Sequence, residues 1–197
     1  MPRWVLLSAV VAALASFTGG ALVGAHDRAG ASAPGLVKST ASAHVVQRQP
    51  AAGSCHARGS GRYSLPDFGC TPGAVDPAVT QDNVARTICR SGYSESVRPP
   101  ESITEREKRA SLVAYGDHRP LHAYEYDHLV PLELGGAPND ARNLWPEPGA
   151  SPNLKDALEN RLHRQVCDHQ MTLAAAQLAI ARNWIAAYRR NVGPATG

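Results

Sequence analysis

Apolar residues recur at helical spacing most clearly near the C-terminal end. Leu154, Leu158, Leu162 and Val166 stand four apart, which predicts a helix from Asn153 to Val166 with one buried face. Thr172 suits the N-cap of a last helix, whose inner face is marked by Leu173, Gln177, Ile180, Trp184 and Tyr188. Upstream, Val84 and Ile88 lie between Thr80, a suitable cap, and Gly92, a suitable stop, so a short helix is expected from Gln81 to Arg90. Arg98-Pro99-Pro100 is an extended breaker. Thr104, with Glu107 three residues on, reads as a capping box opening a second helix that reaches Tyr115 and ends at Gly116. Residues 123–134 read as extended, with Pro131 restricting the strand to a short edge. Gly135-Gly136 and Pro138-Asn139-Asp140 supply a turn, and Arg142 to Trp145 a second short strand. Strand, turn and strand between helices make the expected class α+β, without internal repeats.

The N-terminal part lacks such periods. Residues 1–25 open with one positive charge and continue as an apolar segment ending in small residues, the pattern of a secretory signal peptide. Val23-Gly24-Ala25 and Ala31-Ser32-Ala33 are candidate cleavage sites. The competing reading is an uncleaved anchor over 4–25, since a bilayer span needs ~20 apolar residues. Residues 26–53, rich in Ala, Ser, Gly and Pro, read as a disordered linker. Residues 54–78 read as an irregular loop, and 54–190 as the folded domain.

Composition adds two points. Hydrophobic residues make up 43% of the 197 and aromatics only 6%, so the core is modest and rich in alanine. The four cysteines, Cys55, Cys70, Cys89 and Cys167, form no Cys-x-x-Cys pair, so disulfides are expected rather than a zinc knuckle. Of three connectivities, Cys55–Cys70 with Cys89–Cys167 is favoured, and it agrees with export to an oxidising compartment. The net charge of +3 permits contact with a polyanion but does not argue for it, because no long basic run is present.

Candidate chemistry concentrates in Tyr124-Glu125-Tyr126-Asp127-His128-Leu129-Val130-Pro131. Asp127 offers a carboxylate to a hard cation, Mg²⁺ or Mn²⁺ before Zn²⁺. His128 beside it, neutral near pH 7, suits a general base that takes a proton from water. Neighbours in a strand face opposite ways, but at a strand end both can border one site. Asn143 is expected to accept the second ring N–H of His128 and so fix its tautomer. Glu125 and Glu133 read as solvent-facing, His118 and His122 as surface residues, and Trp145 and Trp184 as core.

The series Asp127-His128, Pro131-Leu132, Gly135-Gly136, Asn143-Leu144 and the following helix with Lys155 resembles the HNH endonuclease family. Together with Cys70-Thr71-Pro72-Gly73, Thr87-Ile88-Cys89 and Asn143 to Glu147, it is similar to small exported actinobacterial-type HNH proteins over about residues 54–188. The resemblance implies a disulfide-bonded domain with a ββα-metal unit flanked by helices. It also implies one divalent metal and hydrolysis of phosphodiester bonds, in DNA before RNA and with low sequence specificity. Lys155 and Arg142 are then candidate phosphate contacts. The family's metal ligand at the helix start falls on Pro152 here; Asn153 is the expected substitute, with Asp156 and His163 as the other options. That departure sustains a rival of another class, a non-catalytic exported binding module that keeps the scaffold.

Overall fold

The computed structural model describes Met1 and residues 35–149 and 151–193. The rest of the expected leader, and the first part of the expected linker, lie outside the described residues. The fold is α+β with two disulfides. In chain order its elements are β1 (Val37–Lys38), β2 (Ala74–Val75), α1 (Tyr93–Val97), α2 (Glu101–Ala114), β3 (Tyr124–His128), β4 (Leu144–Pro148), α3 (Leu154–Cys167) and α4 (Leu173–Asn191). β1 pairs parallel with β2, and β3 antiparallel with β4.

The core lies where the sequence period is strongest. Leu158, Leu162 and Val166 of α3 are fully buried and cluster with Leu173, Ala176, Ile180 and Trp184 of α4. Leu129, Val130 and Leu134 close the cluster from the loop after β3. Both helices begin as expected. Asn153 Oδ1 accepts from the Lys155 amide at 2.7 Å, and Thr172 Oγ1 from that of Ala175 at 3.2 Å. α4 kinks at Asn183, whose side chain caps the second half by accepting from the Ala186 amide at 2.9 Å. Trp184 is core, and its Nε1 donates to the Ser64 carbonyl at 3.0 Å.

Two helix assignments change. The segment expected as a helix from Gln81 to Arg90 is a 3-10 turn over Gln81–Arg86, and Gly92, at φ 76°, opens α1 instead of ending a helix. α2 starts at Glu101, directly after the two prolines have set an extended entry. Glu107 therefore lies inside the helix. Its buried carboxylate accepts from the Gln47 amide at 2.6 Å and closes no capping box with Thr104. The second strand also begins later than expected, at Leu144.

From residue 35 onward the expected linker is a docked strap. Beyond the β1–β2 pairing, Ser39 Oγ donates to Asp140 Oδ2 at 2.7 Å. Asn139 Nδ2 donates to the carbonyls of Ser42 and Val45 at 3.2 and 2.9 Å. Gln49 Nε2 donates to the Tyr126 hydroxyl at 3.1 Å. These bonds run mostly through backbone groups to residues far along the chain, so a search for apolar periods passes over them.

Cysteine pairing is as expected: Cys55–Cys70 closes 15 residues and Cys89–Cys167 closes 78. Such bridges suit an oxidising, extracytoplasmic environment. Among the described residues no helix is long and apolar enough to cross a membrane. At the turn after β3, a Cβ on Gly136 would meet the Val130 carbonyl oxygen at 1.7 Å, so only glycine fits there.

Candidate functional site

Strand alternation puts Glu125 and Asp127 on one face of β3, and the register sets Glu147 of β4 directly opposite Glu125. α3 lays Lys155 against this face. Lys155 is fully buried, and its ammonium donates to Asp127 Oδ2 at 2.5 Å, to the His128 carbonyl at 2.7 Å and to Glu159. Burial opposes a charged lysine, but the surrounding carboxyl groups hold Lys155 well above the usual range. Burial would likewise raise Asp127, yet Lys155 and a hydrogen bond from Glu147 keep it below the usual carboxylate range. Glu147 is pushed up to about 10, first by burial and then by the Asp127 charge, so it stays protonated and donates to Asp127. Burial lifts Glu159 to about 8 against the pull of Lys155.

His128 ends the strand only 7% exposed. Nε2 lies 2.8 Å from the Pro138 carbonyl oxygen, which can only accept. The proton therefore sits on Nε2, and Nδ1 keeps its lone pair. Burial lowers this imidazole to about 4, so it is neutral at pH 7.

A pocket of about 190 Å³ opens between the strand end and the start of α3. Its walls carry Glu125, Asp127, Glu133, Asp156 and Glu159 together with His128 and Arg98. Glu125 is pushed up to about 7 by burial and then by the charges of Asp127 and Asp156. Glu133 Oε1 is buried without a hydrogen-bond partner. Oxygen-rich donors of this kind, one of them unpartnered, fit a hard divalent cation better than a soft one. Elsewhere Cys89, His163 and Cys167 present ligand atoms within 4.8 Å of one another. The two sulfurs are bonded to each other, so that cluster offers no thiolate.

Asp127, His128 and Asp156 thus meet at one pocket, but four expected roles do not fit. Asn143 makes no bond to His128. It is fully buried, donates to the carbonyls of Val130 and Ala137 at 2.9 and 3.1 Å, and accepts from the Val130 amide at 2.9 Å and the Ala74 amide at 3.4 Å. It clamps the loop that presents Pro138, and the Pro138 carbonyl takes the role expected of Asn143. Asn153 uses its amide oxygen in the helix cap, turns its Nδ2 toward Glu125 at 3.3 Å and does not line the pocket. Lys155 is an internal counter-ion, too buried to reach a substrate phosphate. Arg142 forms a two-pronged pair with Asp140, at 2.9 and 2.7 Å, away from the pocket. The alternative ligand His163 bonds through Nε2 to the Ile88 carbonyl at 2.9 Å.

Glu125 and Glu133 line the pocket instead of facing open solvent. Glu147 and Glu159 were not singled out from the sequence. Glu159 carried a readable signal, since it stands four residues after Lys155 on the same helix face. Trp145 is fully buried, whereas His118 and His122 are exposed, all as expected. No family model, curated protein or solved structure matches the chain.

Proposed function

We propose that the protein is an exported, metal-dependent endonuclease built on an HNH-type ββα unit formed by β3, β4 and α3. The observation that carries this reading is the state of His128. It is neutral, oriented through Nε2 by the Pro138 carbonyl, and borders the carboxyl-lined pocket with Asp127. Asp127 and Asp156 would hold one divalent cation, Mg²⁺ or Mn²⁺ before Zn²⁺, with Glu125, Glu133 or Glu159 completing its shell. Asp156, whose Oδ2 accepts from the Asn153 amide at 2.7 Å, would replace Asn153 as the ligand from the helix through its other carboxylate oxygen. A cation there would neutralise the scissile phosphate and the departing oxygen. His128 Nδ1 takes the proton of the attacking water, and the Pro138 contact keeps that nitrogen unprotonated beforehand. Lys155 and protonated Glu147 hold the Asp127 carboxylate in place.

The substrate in this reading is DNA before RNA. Contacts go to the backbone more than to base edges, so activity falls as salt rises. The apolar opening of the chain and the disulfides support export.

The test is cleavage of plasmid DNA and of RNA by the disulfide-bonded protein with Mg²⁺, Mn²⁺, Zn²⁺ or EDTA. Cutting is expected to require metal and to fall roughly 10²- to 10⁴-fold in His128→Ala, the usual span for a lost general base. Mn²⁺ binding should survive that substitution and vanish in Asp127→Ala. A specific observation favours the second reading, a non-catalytic binding module: Asp127 already has an internal cation in Lys155. Folded protein that neither binds Mn²⁺ nor cuts would select it.

A further inference from the structure

We propose that Arg98 forms the phosphate subsite of the pocket, its guanidinium seating a backbone phosphodiester beside His128. This rests on the nuclease reading and adds the residue that brings the substrate in. Five carboxyl-bearing side chains line the pocket, and although burial keeps Glu125 and Glu159 partly protonated, the charge that remains repels a polyanion. A phosphate can settle there only against positive charge supplied by the protein or by a bound cation. Lys155 cannot supply it, because its ammonium is buried and already donates to Asp127, Glu159 and the His128 carbonyl. Among the described residues, Arg98 is the only arginine or lysine lining the pocket.

Arg98 is also free to act. Its side chain is 56% exposed, and its ion pair with Glu95 is loose at 3.9 Å. An exposed pair of that kind contributes little and yields readily to a better anion. Meanwhile its backbone is fixed. Arg98 ends α1 in an extended conformation, at φ −62° and ψ 130°, and the following Pro99 disfavours any return to helix. Pro99 itself is buried, which anchors the stem.

Position supplies the strongest argument. Arg98 and His128 both line a second, larger groove of about 520 Å³ that runs past Pro100, Thr104 and Tyr126. The two cavities share Arg98 and His128. A nucleic-acid strand lying in the groove would present a phosphate to the guanidinium beside His128, whose Nδ1 is the ring nitrogen left free by the Pro138 contact. The planar fork of arginine suits two phosphate oxygens at once, which a lysine ammonium does not reproduce.

The test uses the disulfide-bonded protein with Mn²⁺. Arg98→Ala is expected to lose roughly 10- to 100-fold in kcat/KM on plasmid DNA, the range for one charge-assisted hydrogen bond. Arg98→Lys should recover only part of this loss. Mn²⁺ affinity should be unchanged in both variants, which separates a substrate contact from damage to the cation site. The log–log salt slope should become shallower by about 0.9 on duplex DNA, the value for one lost phosphate contact. Independently of turnover, a fluorescent 12-mer duplex should bind His128→Ala at least tenfold more tightly than the His128→Ala/Arg98→Ala double variant. Unchanged kcat/KM and salt slope in Arg98→Ala, from a wild type that cuts, would overturn the subsite and leave the nuclease reading standing. A wild type that never cuts refutes the nuclease reading; the proposal for Arg98 falls with it, and equal or absent 12-mer binding overturns it on its own.

Discussion

The α3–α4 pair and the loop between β3 and β4 are stabilised by opposite means. The helices meet through Leu158, Leu162, Val166, Ile180 and Trp184, an apolar surface that any residue of similar volume can fill. The loop is held by polar groups with single partners: Asn143 on Val130 and Ala137, Asp140 on Ser39 and Arg142, Asn139 on the strap. The apolar half tolerates change of shape but not loss of volume. The polar half tolerates neither, because each unmade bond leaves a buried group without water. The candidate site lies on the polar half, where a carbonyl must be aimed at His128, and α3 lends it Asp156 and Glu159.

Substitutions can test that contrast. Asn143→Ala should have the largest effect. Four buried partners lose a bond at once, and at ~1–3 kcal/mol for each buried group left unpaired the total is on the order of 4 kcal/mol or more. Urea unfolding measures it. A loss below about 1 kcal/mol would mean that the loop is not held by this clamp. Leu162→Ala should cost about 3 kcal/mol, while Leu162→Met stays under about 1.5 kcal/mol. Equal losses for the two would show that the helix pair is as shape-specific as the loop.

Acidity gives the smallest and most localised effect. His128 has a folded value of about 4 against an ordinary 6.5, so its contribution is fully present above pH 6.5 and is lost as the pH falls through 4. Glu147 is raised to about 10 and Glu159 to about 8, so theirs is present below the ordinary carboxyl value near 4.5 and is lost as the pH rises through those values. In EDTA, His128 should therefore pull the thermal midpoint down as the pH falls from 6.5 toward 4, while Glu147 and Glu159 pull it down as the pH rises above about 4.5. His128→Phe should flatten the acid limb and Glu147→Gln the alkaline one. An acid limb that persists unchanged in His128→Phe would refute the assignment of that limb to the buried imidazole.

The same contrast decided what could be read from the sequence. The stripe from Leu154 to Val166 announced α3 because apolar burial follows a period, and Thr172 announced α4 by cap chemistry. Asp127 and His128 were legible as a pair, and the structure brings them to one pocket. Asn143 was not legible in its true role. An amide carries donors and an acceptor that serve a ring nitrogen or a backbone equally well, and only the position of Val130 and Ala137 decides between them. Lys155 raised the same difficulty, since a lysine near a phosphate site and a lysine buried under three acceptors look alike as a letter. The strap was missed because Ser39 and the backbone of Ser42 and Val45 bind through single polar contacts that repeat at no interval. Arg98 stood in plain view only as part of a breaker, because its importance comes from the two cavities that meet at its side chain.

The strap also bears on the order of assembly. Ser39 finds Asp140 across 101 residues, and Ser42 and Val45 find Asn139 across 97 and 94. Contacts that close loops of such length must overcome their chain entropy before they return any stabilisation, so they form late, after the local helices. The segment made early in synthesis is thus among the last to dock. Its arrival steadies the loop that aims Pro138 at His128, which makes completion of the site a closing event of folding.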